Sequence, residues 1–312
     1  MKNVTVIQGD RNKKLLDSVS LTVLAGENVA ILGPNGAGKT SLIRTITREY
    51  YPVARRNSVL RVMGEDHWNL FELRDLLGIV SSDLQSACAR EMPGIEMILS
   101  GFFGGIGLHR GQRVTAGMRK KAGEALRFLE IAHLKDRSMS VMSSGEARRF
   151  LIGRAIIHDP KVLILDEPTN GLDPAGTKEI RDLIPKLAHE SRAVLLCSHL
   201  LHEVEMVCDH VAIVKQGIVI ANSPIKELLS HGNLLQIRVN DVEKATLILR
   251  GISWIKSIKK EDDYLVLDIP GERSAEVNMA LVQKGIMVSE LVNRTSSLES
   301  VFLQLTGGTS GD

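Results

Sequence analysis

The stretch Gly33-Pro-Asn-Gly-Ala-Gly-Lys39-Thr40-Ser41 decides the fold of this chain. It follows the apolar run at residues 29–32, which is typical of a buried strand, and leads into residues 41–46, which are predicted to be helical. A glycine-rich turn in this context can point backbone N–H groups into one concavity, and the positive end of the helix favours an anion there. The sequence therefore predicts a nucleoside triphosphate site formed by Gly33, Pro34, Asn35, Gly36, Ala37, Gly38, Lys39, Thr40 and Ser41. Within it, Lys39 can reach the β- and γ-phosphates, and the Thr40 hydroxyl can ligate Mg²⁺.

Length and composition exclude several classes of protein. The chain has 312 residues, enough for one large or two modest domains, and 44% of them are hydrophobic. The net charge of +2 gives no global field for nucleic acid, so no nucleic-acid partner is expected. Three cysteines lack metal or disulfide spacing, which indicates a reducing compartment. Because no apolar run approaches the roughly 18 to 20 residues of a membrane span and no signal peptide is evident, we expect a soluble chain.

Alternating strand and helix signals predict a parallel α/β sheet over the first two thirds of the chain. Residues 1–27 and 50–80 are predicted to contain further strands, and residues 84–150 to be mainly helical. The helical part includes a basic stretch, residues 109–121, with no acidic side chain. Such a stretch is more often a solvated surface than a docking surface. Buried strands are predicted at residues 162–165 and 193–197, followed by a hairpin at 211–214 and 218–221.

The last third of the chain predicts a second, smaller domain. Residues 223–233 are interpreted as a linker with one short helix, and residues 234–306 as an α+β domain of βαββαβ order with its own core. We predict a disordered tail at residues 307–312. The predicted strands lie at 235–239, 252–258, 264–269 and 286–292, and the helices at 242–249, 273–283 and 297–305.

Polar residues at the ends of the predicted strands complete the site. Asp166 is suited to the shell of Mg²⁺, and Glu167 to a general base that acts on the water attacking the γ-phosphate. His199 follows the next buried strand and can hydrogen-bond the γ-phosphate, although a lone histidine there is more often structural. Ser143 and Gly145 precede a predicted helix and can offer donors to a phosphate, but alone they would be interpreted as an ordinary helix cap.

Five motifs in this order resemble the ATP-binding subunits of ABC transporters over residues 1–222. They are the Walker A motif at 33–41, the signature at 142–146, the Walker B motif at 163–167, the D-loop at 171–173 and the switch histidine His199. The resemblance implies an α/β P-loop NTPase of ABC type, with a parallel sheet core, an antiparallel β subdomain and a helical subdomain at about residues 84–155. The small α+β domain would be an addition to this fold.

The resemblance also implies how such a subunit works. Two chains, identical or paralogous, would pair head to tail with ATP and Mg²⁺ at each interface, so that Ser143 and Gly145 act in trans. Glu167 would be the catalytic base, His199 would contact the γ-phosphate, and Asp173 would couple the two sites. The dimer would power a transmembrane permease on a separate chain, from a peripheral position on the cytoplasmic face of the cell membrane.

The sequence departs from the family pattern at three places. The aromatic residue on which adenine usually stacks is missing, since the first aromatic residue is Tyr50, and Ile7 or Gln8 lies near that place. Ser82 replaces the usual Q-loop glutamine, and Gln85 is the substitute candidate for a Mg²⁺ contact. In the signature, Ser144 stands for glycine and Glu146 for glutamine.

Finer resemblances leave the transport role open. Residues 80–85 and 99–108 resemble the subgroup for molybdenum transport or photorepair, whereas the C-terminal domain resembles that of drug and lipid exporter ATPases. We favour an exporter because a whole domain supports it. The alternatives are a molybdenum-type importer, a soluble ABC ATPase that acts on ribosomes or DNA, and a nucleotide sensor that does not hydrolyse.

Overall fold

The chain divides into two compact units, each described here by itself. A computed structural model describes residues 1–9, 13–81, 84, 91–188, 192–230, 233–270, 273–295 and 297–307. The first unit is Met1–Ser223 and the second is Pro224–Asp312. We call them the cassette unit and the C-terminal unit. Among the described helices, none has both the length and the apolar character that crossing a bilayer would require.

A largely parallel sheet forms the centre of the cassette unit. Its order in the described residues is β4-β5-β6-β3-β7-β8, and the pairs β4–β5, β5–β6, β6–β3 and β3–β7 are parallel. The predicted buried strands are confirmed, because β3 and β6 are buried at every position. The strands are β3 Asn28–Leu32, β4 Leu77–Val80, β5 Val162–Asp166, β6 Ala193–Cys197, β7 His210–Lys215 and β8 Ile218–Pro224.

An antiparallel pair packs against this sheet through a shared apolar core. β1 Val4–Gln8 pairs with β2 Lys13–Val19, as the alternating pattern predicts. Val4 and Leu16 from this pair are fully buried, in one cluster with Ile31 of β3 and Leu42 of the following helix. The pair is thereby fixed beside the loop that leads from β3 into α1 Lys39–Ile46.

The prediction of further strands at residues 50–80 holds for one strand and is wrong for the rest of this segment, where Val59 and Val62 make only isolated bridges. Only β4 forms there, and it is preceded by a helix, α2 Leu70–Leu76. The Asn69 side chain caps this helix by accepting a hydrogen bond from the Phe71 N–H at 3.0 Å. Residues 64–76 contain no β-branched side chain, and Leu73 is buried on one face of α2. The capping residue and the helix formers therefore outweigh the apolar content that suggested a strand.

Phe150 is fully buried in the helical part of the cassette unit. A Cβ on Gly94 would collide with the Phe150 ring, so the first helix can approach only because residue 94 is glycine. Further helices follow β5 and β6. The helices are α3 Gly94–Leu99, α4 Ala116–Phe128, α5 Ser144–Ile156, α6 Pro174–Leu187 and α7 Leu201–Val207, with short 3₁₀ turns at Ser100–Phe103, Ala132–Leu134 and Met139–Val141.

The C-terminal unit has the predicted βαββαβ order. Its antiparallel sheet has the order β10-β11-β9-β12, and two helices bury their apolar faces on it. The largest difference from the predicted boundaries is at the start of β10. Residues 252–256 form turns and loop before it, and Ile252, Trp254 and Ile255 pack on the core from there. The elements are α8 Ile225–Ser230, β9 Asn233–Val239, α9 Val242–Arg250, β10 Ser257–Glu261, β11 Tyr264–Asp268, α10 Ser274–Val282, β12 Val288–Thr295 and α11 Leu298–Thr306.

Candidate active site

The phosphate loop, residues 33–41, connects the buried end of β3 to the start of α1. Gly36 and Gly38 have φ values of 77° and 111°, which favour glycine, and Gly38 is the residue that precedes the helix. A Cβ on Gly33 would collide with the carbonyl oxygen of Val214 on β7. The loop thus lies close to the sheet, and its two left-handed glycines allow the backbone turns that an anion cradle needs.

Lys39 is held over the loop by the loop itself. The residue is only 8% exposed, and Nζ donates hydrogen bonds to the carbonyl oxygens of Gly33 at 2.7 Å and Pro34 at 3.4 Å. Gly33 and Pro34 therefore position the cation and do not line the cavity themselves. An ammonium group in this place can exchange carbonyl acceptors for phosphate oxygens, which bind it more strongly because they are charged.

The loop residues share a cavity of about 540 Å³ with the carboxylates that follow β5. We call it the phosphate cavity. The parallel order β5-β6-β3 brings the carboxyl ends of these strands to one edge of the sheet, which is where ligands bind in open α/β sheets. The predicted site residues that line it are Asn35, Gly36, Ala37, Gly38, Lys39, Thr40, Ser41, Asp166 and Glu167.

Glu167 lies directly after β5 in an unusual backbone conformation. Its φ is 49°, its N–H donates to the Cys197 carbonyl oxygen at 2.8 Å, and its carbonyl oxygen accepts from the Asn170 N–H at 3.2 Å. Its Oε2 lies 2.7 Å from His199 Nδ1, so the imidazole N–H donates to the carboxylate. The structure therefore brings Glu167 and His199 together beside the phosphate cavity.

Cys197, the last residue of β6, lies near charged side chains of both signs. Burial raises the pKa of the Cys197 thiol well above its usual value, and the carboxylates of Asp166 and Glu167 raise it further, whereas Lys39 lowers it. The thiol is therefore neutral at physiological pH. Cys197 contributes packing and a backbone acceptor to the site rather than nucleophilic chemistry.

The donors around the phosphate cavity fit a Mg²⁺ ion that arrives with a nucleotide. Within the described parts of the chain, no group of three or more His, Cys, Asp or Glu side chains could hold a metal ion. The Thr40 hydroxyl and the Asp166 carboxylate nevertheless line one cavity. Mg²⁺ typically takes one or two protein oxygens and completes its shell with water and phosphate, so this small donor set suffices. Gln85, the third predicted contact, lies outside the described residues.

The signature residues and Asp173 lie at a second cavity, of about 540 Å³, which we call the signature cavity. Ser143 Oγ accepts from the Glu146 N–H at 3.2 Å, and Glu146 Oε2 accepts from the Ser143 N–H at 2.8 Å, which is a capping box at the start of α5. Asp173 caps α6 by accepting from the Gly176 N–H at 2.9 Å. The described linings of the two cavities have no residue in common, so one chain does not bring Ser143 or Gly145 to the phosphate cavity.

Sequence reasoning missed five residues that line the phosphate cavity. They belong to the start of β2 and to the turn between β7 and β8, whereas Ile7 and Gln8, the residues suggested from the sequence, pair across β1–β2 with Lys14 and Lys13. The adjacent lysines were the available signal, but their place beside the loop depends on strand pairing. The missed residues are Lys13, Lys14, Leu15, Gln216 and Gly217.

Comparison with known proteins gives consistent matches. The family model described as ABC transporter matches residues 16–170. YdbJ of Bacillus subtilis (strain 168), an uncharacterized ABC transporter ATP-binding protein, is 33% identical over 95% of this chain and 91% of its own length. A daunorubicin resistance ATP-binding protein of Streptomyces coeruleorubidus is 31% identical over 95% of this chain and 92% of its own length. Among solved structures, a dimeric ATP-binding cassette bound to ADP and phosphate matches with a TM-score of 0.58 and 25% identity, over 72% of this chain and 97% of that chain.

Proposed function

The chain belongs to the family of ABC transporter ATP-binding proteins, and on that premise we propose that two cassettes bind ATP between them and drive a permease on a separate chain. It is an ATPase whose turnover is coupled to transport. We propose export as the direction, because similarity to a drug resistance protein extends over 95% of the chain and so includes the C-terminal unit.

The hydrogen-bonded pair Glu167–His199 beside the phosphate cavity carries the hydrolytic part of the proposal. Lys39 and the loop N–H groups would hold the β- and γ-phosphates. The Glu167 carboxylate would accept a proton from the attacking water, and His199 would keep that carboxylate in place. When bound, Mg²⁺ would neutralise part of the phosphate charge, with Thr40 and Asp166 as its protein contacts.

The separation of the two cavities supports the dimer. A nucleotide in the phosphate cavity lacks the signature donors of its own chain, and a second cassette arranged head to tail can supply them. Gly145 and Gly176 lie against each other, since a Cβ on Gly145 would be 3.6 Å from the Gly176 Cα. The signature and the helix capped by Asp173 thus form one surface, which we propose contacts the nucleotide and the phosphate cavity of the other chain.

Substitution of the proposed base tests this function. We expect Glu167→Gln to lower ATP turnover by about 10²-fold or more while ATP still binds, because the amide cannot accept the proton. Glu124→Gln, on the exposed face of α4, is the matched control and should turn over at the wild-type rate. With ATP, Glu167→Gln should run as a dimer in light scattering. Unchanged turnover would refute the assignment of the base, and a persistent monomer would refute the sandwich.

The permease and the membrane location need a separate test. We propose that the chain lies on the cytoplasmic face of the membrane through its permease. Capture of the tagged chain from gently solubilised membranes should recover a multi-span protein in stoichiometric amount. Recovery only from the soluble fraction, together with ribosomes or DNA, would instead support a soluble ABC ATPase.

A further inference from the structure

The start of β2 forms a fixed rim of the phosphate cavity. The Gly217 N–H donates to the Ala37 carbonyl oxygen at 2.7 Å, and the Gly217 carbonyl oxygen accepts from the Asp17 N–H at 2.8 Å. A Cβ on Gly38 would lie 3.0 Å from the Leu15 carbonyl oxygen, so the loop touches the β2 backbone directly. These contacts connect the phosphate loop, β2 and the β7–β8 turn. They hold the backbone of β2 at a fixed position beside the loop in which a phosphate would bind.

Two adjacent lysines on this rim differ in their partners. Lys14 Nζ lies 2.7 Å from Asp17 Oδ2, so its ammonium group already has a carboxylate partner within β2. Lys13 also lines the cavity and is exposed, and it makes no side-chain hydrogen bond or ion pair within the described residues. Lys39 lies in the loop itself and, in the proposed function, exchanges its carbonyl acceptors for the β- and γ-phosphates. Lys13 is therefore the cation on this rim that is available to an anionic ligand.

The same lining offers little that could distinguish one base from another. No aromatic side chain is among the described lining residues, and the chain has none before Tyr50. Two described lining residues carry side-chain amides, Asn35 in the phosphate loop and Gln216 in the β7–β8 turn. An amide has both a donor and acceptors and can rotate, so it can satisfy the edge of adenine or of guanine.

We infer that Lys13 binds the polyphosphate of the nucleotide and that this cassette derives its affinity from phosphate rather than from the base. The inference rests on the proposed function, since it concerns the same site. An ammonium–phosphate contact is the same for ATP and GTP, because the two differ only in the base. The cassette should therefore bind both with similar affinity, and the Lys13 contribution should be independent of the base.

Binding measurements on the full chain test this inference with MgATP, MgGTP and inorganic tripolyphosphate as probes. We expect the Kd values for ATP and GTP to agree within about threefold, and tripolyphosphate to bind within about tenfold of ATP. Lys13→Met keeps the aliphatic stem and should weaken all three by about 3- to 10-fold, the scale of one partly exposed ionic contact. Lys13→Arg should retain binding. Lys120→Met, which removes an exposed charge from α4, is the matched control and should leave the Kd unchanged.

The outcomes separate this inference from the proposed function. A preference for ATP over GTP above about 20-fold in the wild-type chain would overturn it without any variant. It would also be overturned if Lys13→Met affected one nucleotide alone, or if Lys14→Met weakened binding more than Lys13→Met did. Failure of the wild-type chain to bind any of the three probes would instead refute the nucleotide site itself.

Discussion

Two glycines of the phosphate loop should respond differently to the same substitution. Gly36 has a φ of 77°, and a Cβ there would meet no heavy atom within 4 Å. Gly38 has a φ of 111°, and its Cβ would lie 3.0 Å from the Leu15 carbonyl oxygen and 3.3 Å from Leu16 Cδ2. Gly36→Ala therefore adds backbone strain alone, whereas Gly38→Ala adds strain and crowding against β2.

The φ values and the Leu15 contact allow an estimate of how much more unfolding free energy Gly38→Ala should lose than Gly36→Ala. An alanine held in the left-handed region costs about 1 to 2 kcal/mol, which is the expected loss of unfolding free energy for Gly36→Ala. The more extreme φ at Gly38 costs about 1 to 3 kcal/mol, and displacing the β2 backbone adds about 1 to 3 kcal/mol. The centres of these ranges differ by about 2.5 kcal/mol, or roughly 5 to 10 °C in the Tm of a unit of this size.

Thermal and urea unfolding followed by circular dichroism, with ATP binding measured in parallel, would check this prediction. Gly64 and Gly111 provide matched controls, because their φ values are 87° and 98° and a Cβ on either would meet no atom within 4 Å. Gly64→Ala should match Gly36→Ala in stability but leave ATP binding intact. If Gly38→Ala were no less stable than Gly111→Ala, the contact with Leu15 would cost nothing and the reasoning would be refuted.

Three other predictions concern the Ser143 cap of α5, the half-buried His158, and the thiols of Cys197 and Cys208. Ser143→Ala should lower the unfolding free energy by about 1 kcal/mol in urea titrations, because the first turn of α5 loses its cap; an unchanged midpoint would contradict this. Burial lowers the pKa of His158 below 6.5, so the unfolded chain binds the proton more readily, and stability should fall as the pH drops below about 6.5. His158→Gln should reduce the difference in unfolding free energy between pH 7.5 and 5.5, and an equal difference would exclude this histidine as a cause. Burial raises the pKa of Cys208 to about 12 and that of Cys197 well above its usual value, so mass spectrometry should find both unalkylated at pH 8 until the chain is unfolded. Rapid native labelling of either thiol would contradict its burial.

The sequence predicts the centre of the cassette unit well because the signals there are local. A few consecutive residues are enough to predict each central element. Glycines identify the phosphate loop, and continuous apolar runs identify β3, β5 and β6. The pairing order of the strands then brings their carboxyl ends together. Asp166 and Glu167 could therefore be placed near Lys39, although well over 100 residues separate them in the chain.

Features that depend on tertiary packing were missed. Residues 252–256 are apolar enough to suggest a strand, but Trp254 and Ile255 reach the core from a turn, which the pattern alone does not distinguish. The proposed role of Lys13 depends on the register of β1 and β2, and the place of Gln216 in the cavity lining depends on contact between the β7–β8 turn and the phosphate loop. Neither contact is encoded by the spacing of residues near the motif.

The capping box gives a structural account of the glutamate in the proposed signature. Glu146 accepts from the Ser143 N–H and lies 3.7 Å from Arg137, so its charge is directed to its own chain. Ser143 Oγ serves this cap as an acceptor, and a hydroxyl also has one proton to donate. That O–H can therefore donate to a phosphate of the partner's nucleotide while the cap remains intact. We therefore expect the start of α5 to keep its cap when the proposed dimer closes, and the positive end of this helix to remain available to the same phosphate.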